Sequence, residues 1–78
     1  MDRATIVAKV LALVSETLEL DEGTITESSR FDELGADSFD LLTLVTTFED
    51  EFGLMLDDDS LASIQTVEDA VNAIEEAQ

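Results

Sequence analysis

Seventy-eight residues carry 20 acidic and three basic side chains, a formal net charge of −17, and neither cysteine nor histidine. That length allows one small domain, expected over 1–78, with a single modest core. Disulfide frameworks, thiolate or imidazole metal sites and a Ser-His-Asp triad are excluded, so packed helices must supply the stability.

The charge is unevenly spread. Arg3, Lys9 and Arg30 are the only cations, and Phe31 to Gln78 holds fourteen carboxylates without one basic residue. No nucleic acid and no anionic membrane is expected as a partner, because both would be repelled; a protein with a basic patch would be attracted. The apolar content of 45% and the helical periodicity argue against a disordered acidic tail. Asp2, Arg3 and Lys9 interrupt the first fifteen residues, which lack a signal-peptide pattern, and no apolar run reaches membrane-spanning length. With the missing cysteines, these features fit a cytoplasmic protein.

In chain order, Ile6, Val7, Val10, Leu11, Val14 and Leu18 recur at spacings of one, three and four. The spacing predicts an amphipathic helix over residues 3–19, packed on one side, with Lys9, Glu16 and Glu19 off the apolar face. From Leu20 to Asp37 the period stops, and Gly23, Thr24, Thr26, Ser28, Ser29 and Gly35 punctuate an eighteen-residue connection. Such a loop is long for so small a domain and needs apolar anchors of its own. Ile25, Phe31 and Leu34 are spaced to serve, and all three are expected to be buried.

Residues 38–52 predict a second helix whose core arc is Leu41, Leu44, Val45, Phe48 and Phe52. Phe39 and Leu42 project the other way with Thr43, Thr46, Glu49 and Asp50, an apolar pair ringed by acids that reads as a small binding face. Gly53 can supply a left-handed C-cap. Asp57-Asp58-Asp59-Ser60 can cap and open a single helical turn to about Ser63, with Leu61 and Ile64 facing inward. The aspartate run lacks the alternating ligands, central glycine and final glutamate of a calcium loop, so no metal site is predicted. Thr66 and Asp69 resemble a shortened capping box opening a last helix, which buries Val67, Ala70, Val71 and Ile74 and ends near Ala77 without a cap, in a turn expected to fray. The expected fold is all-α: a small four-helix bundle, three longer helices and one short third helix, with a long loop between helices one and two.

Where that loop meets the second helix, Asp37 can cap the helix and Ser38 puts a hydroxyl at its N-terminus. Free backbone N–H groups and the positive end of the helix dipole favour an anion there, so a phosphodiester on Ser38 would sit in favourable electrostatics. Gly35 permits the backbone conformations of a tight entry. Taken alone, Asp37-Ser38 is also what an ordinary N-cap looks like.

Gly35-Ala36-Asp37-Ser38-Phe39 resembles the attachment motif of the acyl carrier protein family: a glycine, a variable residue, aspartate, the modified serine and a bulky apolar residue. The resemblance extends over nearly the whole chain, through the first helix, the long loop, the acid-rich Phe48-Glu49-Asp50-Glu51-Phe52 and the closing helix after Ile64-Gln65-Thr66-Val67. It implies 4′-phosphopantetheine joined covalently to Ser38 from coenzyme A, by a separate phosphopantetheinyl transferase with magnesium. Asp37 and Gly35 would shape that site. The arm's thiol would carry acyl groups as thioesters, supplying a group that a chain without cysteine lacks.

The resemblance also implies a docking face of Phe39, Asp40, Leu42, Thr46, Glu49 and Asp50, meeting the basic patches of acyl-transferring, condensing and modifying enzymes in fast, exchangeable contacts by a monomer. Leu41, Leu44, Val45, Phe48, Leu56 and Ile64 would line an acyl pocket between helices two and three. Phe39, Thr43 and Thr46 depart from the commonest fatty-acid carriers, so polyketide and specialised-lipid cargo stand beside fatty acids. An aminoacyl or peptidyl carrier, or an unmodified acidic interaction module, are the alternatives. Catalysis is not expected: with no His, Cys or Tyr, Ser38 has no general base of the usual kind, and so small a bundle offers no glycosidase cleft for its carboxylates.

Overall fold

Periodicity becomes packing in the computed structural model, which describes all 78 residues apart from the side chain of Asp58. Helix α1 spans Arg3–Leu18, α2 Ser38–Phe52, α3 Asp58–Ser63 and α4 Val67–Ala77. The first packs against both the second and the fourth. Its buried residues, Ile6, Val10 and Val14, recur at intervals of four and meet Leu44, Val45 and Phe48 of α2 and the apolar stripe of α4. Val7, Leu11 and Leu18 border this core and stay half-buried. No described polar or charged side chain is buried.

Each helix opens on a side-chain cap. Asp2 accepts the Thr5 N–H at 2.9 Å, and Asp57 accepts the Ser60 N–H at 2.8 Å. Hydrogen bonds to Thr5 and Ser60 hold these two carboxyls below the usual 3.8. Both caps are therefore complete above that value and are lost as the pH falls through the lower folded value. Thr66 and Asp69 form the expected capping box at α4: the Asp69 N–H donates to Thr66 Oγ1 at 3.1 Å and the Thr66 N–H to the Asp69 carboxylate at 3.1 Å.

The helix ends were less legible. α1 stops at Leu18, because Glu19 adopts the left-handed conformation at φ 56° while its N–H still reaches the Ser15 carbonyl. Among the described residues it is the one non-glycine at positive φ. A side chain in that conformation is disfavoured, and a carboxylate at a helix C-terminus opposes the dipole. Glu19→Gly is expected to stabilise the fold by about 1 kcal/mol, read as a higher urea midpoint at unchanged slope. At the other end of the chain, Gln78 Nε2 donates to the Met1 carbonyl at 2.9 Å, so the close of α4 is tied to the N-terminus instead of being left open. Arg3 adds to that junction by reaching Asn72, Glu75 and Glu27.

The long connection is structured. A 3₁₀ turn over Glu22–Thr24 is capped by Asp21, and Ile25 and Phe31 are buried as expected. Leu34 is only half-buried, since it lies in the tight turn that follows Phe31, with its N–H shared between the Arg30 and Phe31 carbonyls at 3.1 Å. An isolated antiparallel bridge pairs Arg30 with Thr66. There the Phe31 N–H donates to the Gln65 carbonyl and the Val67 N–H to the Ser29 carbonyl, both at 3.0 Å. The loop is thereby fastened to the start of α4.

Candidate functional site

The turn that delivers the chain to α2 closes on Phe31. The Ala36 N–H donates to the Phe31 carbonyl at 3.0 Å and the Gly35 N–H to the Asp32 carbonyl at 3.2 Å. Gly35 sits at φ +87°, with nothing within 4 Å of where a Cβ would lie, so backbone conformation rather than space requires glycine there. Asp37 caps α2: its carboxylate accepts the Asp40 N–H at 2.9 Å, and the Asp40 carboxylate accepts the Asp37 N–H at 3.3 Å. This reciprocal cap sets the helix axis and puts Ser38 at its first position. The Ser38 side chain is exposed, and its hydroxyl makes no hydrogen bond among the described residues.

Beside it lies an open groove of about 410 Å³, walled by Phe31, Leu41 and Ile64 and rimmed by Arg30, Asp37 and Ser38. Asp32 lies on the same groove. Arg30 holds the Asp32 carboxyl below its usual value, chiefly by a hydrogen bond, and Asp32 raises the Arg30 guanidinium in return. Of the six residues expected to line an acyl pocket, Leu41 and Ile64 line this groove. Leu44, Val45 and Phe48 are closed into the core. Leu56 lies on a separate cavity of about 380 Å³, with Met55, Ala73 and Ala77.

The outer face of α2 is as open as its periodicity suggests. Phe39 is 74% exposed and Leu42 54%, values far outside those of core residues, and Thr46 and Asp50 are exposed beside them. Thr43 Oγ1 donates to the Phe39 carbonyl and Thr46 Oγ1 to the Leu42 carbonyl, at 3.1 and 3.0 Å, which spends both hydroxyl protons on the helix itself. Glu49 stands apart from this face. It is half-buried, and its carboxylate accepts the Leu56 N–H at 2.9 Å, stapling the α2–α3 connection. Sequence reasoning passed over Met55, 85% exposed, and Arg30 as a lining residue. The signal for Met55 was present in its place after a helix-ending glycine; none existed for Arg30, because only folding brings it to the same groove as Leu41, Ile64 and Gln65. Asp57 caps α3, and the Asp58 part of the aspartate run lies outside the described side chains.

An unengaged hydroxyl at a helix N-terminus, on an open groove with an apolar wall, fits a covalently held, phosphate-bearing group. The family described as "Phosphopantetheine attachment site" matches residues 8–74. The chain belongs to this family. Acyl carrier proteins are similar to it over most of its length: one from Thermotoga maritima is 49% identical over 74 residues, 94% of this chain and 91% of that protein. A crystal structure of an acyl carrier protein from Thermotoga maritima matches with a TM-score of 0.83 at 36% identity, covering 99% of this chain and 91% of the other. The acyl carrier protein of Enterococcus faecalis, whose structure was described for its high thermal stability, matches with a TM-score of 0.82 at 30% identity over the whole of both chains.

As a phosphopantetheine carrier, the chain is an acyl carrier and not an enzyme, and its cofactor is covalently attached 4′-phosphopantetheine. It interacts with biosynthetic enzymes. The four-helix bundle inferred from periodicity is the architecture of the acyl carrier structures it superposes on. No described helix is long and apolar enough to cross a membrane.

Proposed function

We propose that Ser38 is the residue that bears the arm, within a single carrier domain over 1–78. The observation that carries this reading is the free, exposed Ser38 hydroxyl at the head of a helix fixed by the Asp37–Asp40 box. The arm supplies a thiol on which acyl groups travel as thioesters. Around it, the chain's own residues position and present. Asp37 and Gly35 set the entry to α2, while the backbone N–H groups of its first turn offset the charge of a phosphodiester. Leu41 and Ile64 offer the beginning of an apolar groove to the acyl group, and Leu44, Val45 and Phe48 form the packed floor beyond it.

Phe39, Leu42, Thr46 and Asp50 make the docking face, and Asp40 contributes charge at its edge. A phosphopantetheinyl transferase and acyl-transferring, condensing and modifying enzymes with basic patches are its partners, in fatty acid, polyketide or specialised lipid biosynthesis. Carboxylates around a small apolar centre favour rapid, exchangeable association. A cytoplasmic monomer suits that traffic.

Intact mass after incubation with coenzyme A, magnesium and a broad-specificity phosphopantetheinyl transferase tests the assignment. The native chain is expected to gain one arm and Ser38→Ala none. A gain retained by Ser38→Ala would move the site elsewhere. A folded native chain that gains nothing would point to an unmodified interaction module.

A further inference from the structure

Three cations serve the chain, and two are committed far from Ser38. Arg3 reaches Asn72, Glu75 and Glu27, and Lys9 lies 5.5 Å from the centre of the Phe52 ring. Arg30 alone lines the groove that Ser38 also lines. Its backbone is fixed by the bridge to Thr66 and by the neighbouring bond from the Phe31 N–H to the Gln65 carbonyl. Its side chain is not fixed in the same way: 47% exposed, it contacts Asp32 through Nε at 3.2 Å and Nη2 at 3.3 Å. Nη1 has no partner among the described residues. Asp32 is itself 67% exposed, and an ion pair so open to water contributes little and exchanges readily.

The groove is otherwise unfavourable to an anion. Asp32 and Asp37 both line it, and no other basic residue follows Arg30 in the chain. A phosphodiester on Ser38 meets those carboxylates at close quarters, offset by the head of α2 and by one guanidinium. We propose that Arg30 is the phosphate-positioning residue: its guanidinium turns from Asp32, or shares with it, and donates to the non-bridging oxygens of the phosphodiester on Ser38. The inference rests on Ser38 being the attachment point. A planar guanidinium presents paired N–H donors that match two phosphate oxygens, which a lysine ammonium does not. Anchored at the groove's edge, Arg30 holds the root of the arm against the Leu41–Ile64 wall instead of leaving it to swing in solvent.

The test uses the full chain loaded from coenzyme A by a phosphopantetheinyl transferase, then freed of magnesium by a chelator. Intact mass first establishes loading of the native chain and of Arg30→Gln, with Ser38→Ala carried through the same treatment. Nitrogen-15 NMR then follows the Arg30 Nε–Hε resonance, and phosphorus-31 NMR the phosphodiester. Loading should shift the Arg30 Nε–Hε resonance in the native chain and leave it unmoved in treated Ser38→Ala. The phosphorus resonance of loaded Arg30→Gln should differ from that of the loaded native chain, and the difference should shrink near ~1 M salt, where the screening length is about 3 Å. Asp32→Asn, which frees the guanidinium, should enlarge the Nε–Hε shift.

A native chain loaded at Ser38 whose Arg30 Nε–Hε resonance does not respond overturns the assignment to Arg30 and leaves the Ser38 reading standing. A native chain that cannot be loaded at Ser38 overturns both. If Arg30→Gln alone fails to load, the native Nε–Hε comparison still decides.

Discussion

Phe31→Ala is expected to remove a large share of the stability of this fold. The ring is 1% exposed and belongs to the central core, although it sits in a connection and not in a helix. Truncating a buried phenylalanine costs about 3–5 kcal/mol, because the transfer energy of the ring is lost and the surroundings only partly collapse into the space. A chain of this length has roughly 4–12 kcal/mol in total. Phe31 also lies where the loop is fastened: its N–H meets Gln65, and its carbonyl accepts from Leu34 and Ala36.

The ring further walls the groove beside Ser38, so the damage reaches the turn that leads into α2. Urea denaturation of Phe31→Ala and Leu34→Ala side by side gives the measurement. The half-buried Leu34 should cost far less, and a Phe31 penalty no larger than that of Leu34 would contradict its role as the principal anchor.

Salt should raise the melting temperature steeply. A net charge of −17 is held within a radius of gyration of 11.1 Å, and the ion pairs, from Arg3 to Glu27 and Glu75 and from Arg30 to Asp32, join partly exposed side chains. Such pairs contribute little, whereas repulsion among the remaining carboxylates acts across the molecule. At ~0.01 M ionic strength the screening length of about 30 Å exceeds every dimension of the protein; at ~1 M it is about 3 Å. The principal extents are 27, 25 and 19 Å. Unfolding separates these charges, so screening them favours the folded state.

A domain of this size gains about 4–8 °C for each kcal/mol. The expected rise across that salt range is on the order of 10 °C or more. Magnesium should act at lower concentration than sodium, as a divalent ion among carboxylates. Calorimetry or circular dichroism at graded salt provides the check, and a melting temperature indifferent to ionic strength would sink the argument.

The glycine at position 35 carries a related lesson. Its place before Asp37-Ser38 is part of a motif that can be read in one dimension, and its φ of +87° supplies the physical reason for that motif. Glu49 shows the opposite. Periodicity groups it with the exposed outer face of α2, but its carboxylate is turned to the Leu56 N–H, seven residues on, across a turn whose course cannot be read from helical spacing.

Interactions between residues three or four apart were open to reading. The cores of α1, α2 and α4, the caps at Asp37, Asp57 and Thr66, the glycine ending α2 and the exposed Phe39–Leu42 pair all follow from helical period and from the shortage of backbone partners at helix ends. Contacts made across the chain were not. The Arg30–Thr66 bridge, the left-handed Glu19, the partial burial of Leu34 and the meeting of Arg30, Leu41 and Ile64 beside Ser38 were decided by tertiary structure. They depend on how four helices and an eighteen-residue loop pack together, and no local propensity encodes which distant groups that packing brings within reach of one another.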